Sequence, residues 1–168
     1  GAFRVPNPLG DDAHLNTYRR DILAAYLNDD ELLDLVVTNY DSADVSVLLG
    51  RADGTFEPQR RFDAAAFPIG VTAGDVNRDG KLDLLVVDSK EVNKPNKLAV
   101  LLGRGDGTFQ PQRIQNLPNE LFLAVIALGD LDNDRIPDLV VGGGINDGLD
   151  IFRGIGDGSF EFFKHIAG

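Results

Sequence analysis

The feature that most constrains this sequence is that it repeats itself. Gly1–Phe3 (GAF), Gly50–Phe56 (GRADGTF), Gly103–Phe109 (GRGDGTF) and Gly154–Phe160 (GIGDGSF) align, and the equivalent glycines Gly1, Gly54, Gly107 and Gly158 are spaced by 53, 53 and 51 residues. A second motif runs in step with the first. It is Asp-Leu before a β-branched run, in LLDLVVTNY from Leu32, KLDLLVVDS from Lys81 and IPDLVVGGG from Ile136. Such a period marks one small unit that cannot bury its own core and must stack on neighbours. Dividing 168 residues by about 52 gives about 3.2 units.

Each unit reads as four short strands. Leu84 to Val87 is apolar on both faces, as for a strand buried between two layers. Val45 to Leu49 and Leu98 to Leu102 supply the next strands, each ending in a Gly-rich turn. The Asp-Gly pairs at Asp53, Asp106 and Asp157 are hairpin signals, since glycine reaches φ > 0 without steric cost. Phe56, Phe109 and Phe160 are then expected to open an outer strand. Gly70 to Gly74 and Leu123 to Gly129 are small and apolar, which suits an innermost strand near an axis. Only Leu23 to Leu33 offers a weak helical pattern, and it aligns with strand and loop in the other units.

Four strands in about 50 residues is the arithmetic of a β-propeller blade. The expected fold is all-β: about three four-stranded antiparallel blades plus one surplus N-terminal strand. The expected boundaries are residues 1–20 for the outer strand of a preceding unit, then blades at 21–68, 69–120 and 121–168. Propellers typically need about four to eight blades to close. The chain is therefore expected to be a segment of a larger propeller or to join other copies, with apolar strand faces open at both ends. With no Met and no secretory signal at Gly1, it reads as a processed, excised or tagged product.

The chemistry precedes each Asp-Leu strand. DVNRDGKLD places Asp75, Asn77, Asp79 and Asp83 at loop positions one, three, five and nine, and DLDNDRIPD places Asp130, Asp132, Asp134 and Asp138 there. Alternate oxygens converge as the chain curls, and the position-seven carbonyls of Lys81 and Ile136 can add a backbone oxygen. An all-oxygen set of this kind suits Ca²⁺, which takes about 6–8 ligands at ~2.3–2.6 Å. An EF-hand is excluded, because Val86 and Val141 stand where it needs Glu. Without a cation the clustered carboxylates repel one another. Arg135 stands where the second loop has Gly80, so a left-handed backbone there would cost about 1 kcal/mol. The first loop, YLNDDELLD, is degraded. Tyr26 replaces the first carboxylate, Glu31 replaces the glycine, and Asn28, Asp30 and Asp34 remain as a weak third set.

These residues resemble the FG-GAP/VCBS-type repeats, best known from the seven-bladed propeller of integrin α subunits. The likeness lies in DVNRDGKLDLLVV, DLDNDRIPDLVV and LLGRGDGTF, and it recurs in all three units. The literal Phe-Gly and Gly-Ala-Pro signatures are missing, which places the chain nearer the bacterial form. The resemblance implies a propeller, calcium in the inter-strand loops, an exported or cell-surface setting, and a binding rather than catalytic role.

Composition narrows the alternatives. A formal charge of -11 and a pI near 4.4 argue against a nucleic-acid partner. The longest apolar run, Leu121 to Leu128, is far short of the ~20 residues of a membrane helix. There is no Cys for a disulfide, a thiolate site or a nucleophile. His14 and His165 stand apart with no nucleophile motif beside them, so no enzyme is expected. Arg104-Gly105-Asp106 spells an integrin-recognition tripeptide, but the turn itself calls for Asp-Gly. The expected partners are a protein or glycan ligand or other copies of the chain. The main expected role is a calcium-stabilised extracellular binding or scaffold module, with a self-assembling subunit and an accessory domain of a secreted enzyme as alternatives.

Overall fold

The computed structural model describes residues 19–88, 95–118, 125–143 and 148–168. They form twelve strands and, among the described residues, no helix. Sheet one holds β1 (Arg19–Ala25), β2 (Asp34–Asn39), β3 (Asp44–Leu48) and β4 (Arg60–Asp63). Sheet two holds β5 (Pro68–Gly74), β6 (Asp83–Asp88), β7 (Lys97–Leu101) and β8 (Arg113–Asn116). Sheet three holds β9 (Val125–Gly129), β10 (Asp138–Gly142), β11 (Leu149–Gly154) and β12 (Phe160–Ile166). Each is an antiparallel meander in chain order, an open arrangement of propeller-type blades. The register is shared: Leu23 faces Val36, Thr72 faces Leu85, and Ala127 faces Val140. The region with a weak helical pattern is β1 and its following loop. The surplus strand read over residues 1–20 lies, up to residue 18, outside the described residues.

The first strands of the sheets lie side by side, β1 against β5 and β5 against β9. Small residues permit this approach. A Cβ on Gly70 would sit 3.2 Å from Ile126 Cγ2, and one on Gly74 would sit 2.9 Å from Leu128 Cδ1. Sheet two is the filling of a sandwich. Leu84 and Val86 join a core with Val36, Val45 and Val47 of sheet one. Leu85 and Val87 join a second core with Leu139, Val141 and Phe152 of sheet three. That is why β6 is apolar on both faces and wholly buried.

The ends of the stack differ from each other. Val37 and Leu48, which alternate with the residues packed on sheet two, are buried. Leu131, Leu149 and Ile166 of sheet three are exposed, at 54, 39 and 43%. Open apolar faces at both ends were expected; among the described residues the sheet-three end shows one, while at the sheet-one end Val37 is buried and its cross-strand neighbour Ile22 is 64% exposed.

The outer strands also depart from expectation. Phe56 and Phe109 form isolated bridges to Gly50 and Gly103, and β4 and β8 begin only at Arg60 and Arg113. Pro58 and Pro111 intervene, and a proline has no N–H for the ladder. Unit three has Phe162 at that place, so β12 runs unbroken from Phe160.

Glycine turns tie one sheet to the next. Gly107 N donates to Leu27 O and Gly158 N donates to Val76 O, each at 3.1 Å, across the boundary between consecutive sheets. Arg60 and Arg113 donate across the same boundaries to the carbonyls of Asp106 and Asp157. The turn of sheet one instead closes on itself, with Gly54 N donating to Arg51 O. Within each turn the aspartate accepts from the residue two places on. Asp106 Oδ1 takes Thr108 N at 2.9 Å and Thr108 Oγ1 at 2.6 Å. Arg104 Nη1 donates to the Phe109 carbonyl. Both charged groups of the Arg-Gly-Asp tripeptide are thus engaged by its own turn.

The glycine that opens each turn has a steric role. A Cβ on Gly50, Gly103 or Gly154 would lie 2.4, 2.1 or 2.3 Å from the carbonyl oxygen of Leu33, Leu82 or Pro137. Gly103→Ala is expected to cost about 1–3 kcal/mol or more through this backbone clash. Gly54→Ala, with φ +79° and open space around it, is expected to cost only about 1 kcal/mol. Urea denaturation of the two variants measures the difference.

The turns also set a pH dependence. The Asp106 carboxyl is held below its ordinary 3.8 by the Thr108 hydroxyl first and by the Thr108 N–H second. A lowered folded value supplies stability that is present above the unfolded value and lost as pH falls through the folded one. Stability is therefore expected to drop from about pH 4 downward, and Thr108→Val to make that drop shallower in a urea series.

Candidate metal centre

Each loop joins the first strand of a sheet to the second, and its ninth residue opens that second strand. Asp34, Asp83 and Asp138 are almost completely buried there, at 0, 0 and 2%. Every one spends both carboxylate oxygens on backbone donors. Oδ2 accepts from Leu27, Val76 or Leu131 N at 2.9, 3.0 or 2.8 Å. Oδ1 accepts from Gly50, Gly103 or Gly154 N at 2.8, 2.8 or 3.0 Å. The aspartate thus pins the loop entrance to the turn after the third strand. The sequence reading made it a closing ligand and missed this second role. The signal was present, because Asp34 persists in a loop whose first carboxylate has become Tyr26.

The remaining side chains zip the loop onto its own N–H groups. Asp75 accepts from Asp79 N at 3.1 Å and Gly80 N at 2.9 Å. Asp130 accepts in the same way from Asp134 N at 3.1 Å and Arg135 N at 2.9 Å. At position five, Asp79 and Asp134 take the N–H of Lys81 and Ile136 at 3.0 and 2.7 Å. Position-three oxygens of Asn77 and Asp132 cap the same position-five N–H. Position six is left-handed in every loop: Gly80 at φ 80°, Arg135 at 67° and Glu31 at 61°. Arg135 and Glu31 therefore carry the strain expected of a residue with a Cβ. Arg78 and Asn133 at position four are left-handed too; asparagine tolerates that region, whereas the residue type gave no sign of it at Arg78.

The carboxylates come together most closely in the third loop. One oxygen from each of Asp130, Asp132 and Asp138 lies within 4.8 Å of the others. Two oxygens bound to one cation at ~2.6 Å can be no more than about 5.2 Å apart, so this spacing fits a shared ion. Such a cluster could hold a metal ion, and its donors are all hard oxygens. Asp134 stands outside the group, with an oxygen on the Ile136 N–H. Among the described residues no other three carboxylates come this close. In the second loop Asn77 stands where the third has the carboxylate of Asp132, and Asp75, Asp79 and Asp83 do not meet this spacing. Burial first, then the charges of Asp79 and Asp75, raise the Asp83 carboxyl, against the Gly103 and Val76 N–H groups that lower it. In the first loop Tyr26 is exposed, and the Asn28 amide donates to Asp30 Oδ2 at 3.0 Å.

A family model described as the FG-GAP-like repeat matches residues 27–86 and 91–141, more than half of the chain. The chain belongs to the FG-GAP-like repeat family. Its first matched stretch takes in loop one from its second position, loop two and the turn between them, and its second takes in loop three. No curated protein matches the sequence. Membership agrees with the propeller-like repeat module that the three sheets form.

The buried aspartates of these FG-GAP-like units predict a result independent of any ion. Removing one leaves two backbone N–H groups without their acceptor, at least one of them buried, at about 1–3 kcal/mol for a buried group. Asp34→Ala, Asp83→Ala and Asp138→Ala are expected to destabilise the chain by similar amounts in chelator, as measured by urea denaturation. Asp134→Ala, at an exposed position, is expected to cost clearly less under the same conditions.

Proposed function

We propose that the chain is a calcium-stabilised propeller segment that serves as a non-catalytic binding or scaffold module on an exported protein. The observation that carries this reading is the grouping of Asp130, Asp132 and Asp138 oxygens within 4.8 Å. Asp138 is also the residue that fastens the loop to its sheet, so an ion there would brace the fold as well as neutralise the loop. The residues assigned to calcium are Asp130, Asp132, Asp134, Asp138 and the Ile136 carbonyl, with Asp75, Asn77, Asp79, Asp83 and the Lys81 carbonyl as the second set. Asn28, Asp30 and Asp34 form a poor third set because Tyr26 supplies no carboxylate. An extracellular or cell-surface setting goes with this reading, because calcium is plentiful outside cells. The partner on this reading is a protein or a glycan.

A second reading is favoured by the exposed Leu131, Leu149 and Ile166. Their counterparts in sheets one and two lie in inter-sheet contacts, so another copy packed here would make a self-assembling subunit. Sedimentation over a range of concentrations distinguishes the two, because only this one gives mass that grows with concentration.

Calcium titration of the stripped chain tests the main reading. Two strong sites are expected by calorimetry, and a flat titration at millimolar calcium would overturn it. An ion at 100 times its Kd adds about 2.7 kcal/mol per site to the folded state. Chelation is therefore expected to lower the melting temperature, with Asp132→Ala reproducing part of that loss and Asp30→Ala little of it.

A further inference from the structure

Before the glycine that opens each turn, sheets one and two carry Leu49 and Leu102, both buried. The turn of the next sheet lies on them. A Cβ on Gly107 would meet Leu49 Cδ2 at 2.5 Å, and one on Gly158 would meet Leu102 Cδ2 at 3.1 Å. Sheet three has Arg153 at this place. Its side chain is half exposed, and Nε turns to within 3.4 Å of Asp132 Oδ2. The guanidinium carbon lies 4.0 Å from the centroid of the Phe163 ring. Units one and two have Gln59 and Gln112 in the position of Phe163. Arginine and its aromatic platform are thus both particular to the third unit.

Asp132 supplies one of the three clustered oxygens. A divalent cation and the guanidinium therefore address one carboxylate. We propose that Arg153 is a built-in competitor of the third loop, holding Asp132 while the loop is ion-free and yielding it when a divalent cation binds. The proposal rests on the calcium reading above. An incoming ion must break the Arg153–Asp132 pair and then sit beside a positive charge, so it binds less tightly than the carboxylates alone dictate. Stacking on Phe163 keeps the guanidinium at the loop instead of in bulk water. In the second loop the two corresponding positions are Asn77 and Leu102, neither of them charged, so this pair has no equivalent there. The extra carboxylate of the third loop is in this way offset by an extra cation.

Calorimetric calcium titration of the full chain carrying Asp75→Ala, which disables the second loop, tests this. Adding Arg153→Leu or Arg153→Gln is expected to tighten the remaining strong site by about threefold to tenfold at low salt. The gain should shrink at high salt, because the competition between exposed charges is screened. In the chain with Arg153 intact, calcium should shift the Arg153 Nε–Hε resonance as the pair breaks. Unchanged affinity in a folded Gln variant, with calcium still bound by its parent, overturns the competitor role alone. No calcium uptake by the unmodified chain overturns this role and the calcium reading together. Melting curves establish that each variant is folded.

Discussion

The structure hangs on a carboxylate that accepts two backbone hydrogen bonds in the dark. Asp34, Asp83 and Asp138 each bind one N–H from the loop entrance and one from the glycine after the third strand. A charge is costly to bury unless hydrogen bonded, and two backbone donors meet that demand while fixing three chain segments at one point. The neighbouring glycine completes the arrangement, because only a residue without Cβ can lie against the carbonyl of position eight. Loop, second strand and turn are thereby one rigid piece, and whatever the loop binds is bound by the sheet.

Sheets are then joined by two unlike kinds of contact. Apolar side chains interleave between layers, with β6 contributing alternate residues to the cores on its two sides. That burial is large but non-directional. The backbone bonds from Gly107 to Leu27 and from Gly158 to Val76 add the direction, setting how far each sheet can slide over the last. Leu27 and Val76 are covered by these turns, whereas Leu131, their counterpart, is exposed.

Most of the fold was legible because period and pattern agreed. The four strands per unit, the apolar second strand and the left-handed Asp-Gly turns all follow from residues whose roles are local or strongly periodic. The delayed start of β4 and β8 was written in Pro58 and Pro111, and the unbroken β12 in Phe162, but the shared Phe drew the boundary instead. At the loops, spacing showed which side chains could converge, and φ at Arg135 matched the strain its alignment with Gly80 implied. Spacing could not show that Asp134 turns to the Ile136 N–H, that Asp138 serves the backbone, or that Arg153 reaches Asp132. Those contacts depend on rotamers and on residues distant in sequence.

The turn-to-loop bonds give the stack a polarity. In both described boundaries the receiving carbonyl belongs to the earlier unit and the donating glycine to the later one. The two ends of such a stack are therefore unlike, and these bonds can only join the later end of one unit to the earlier end of the next.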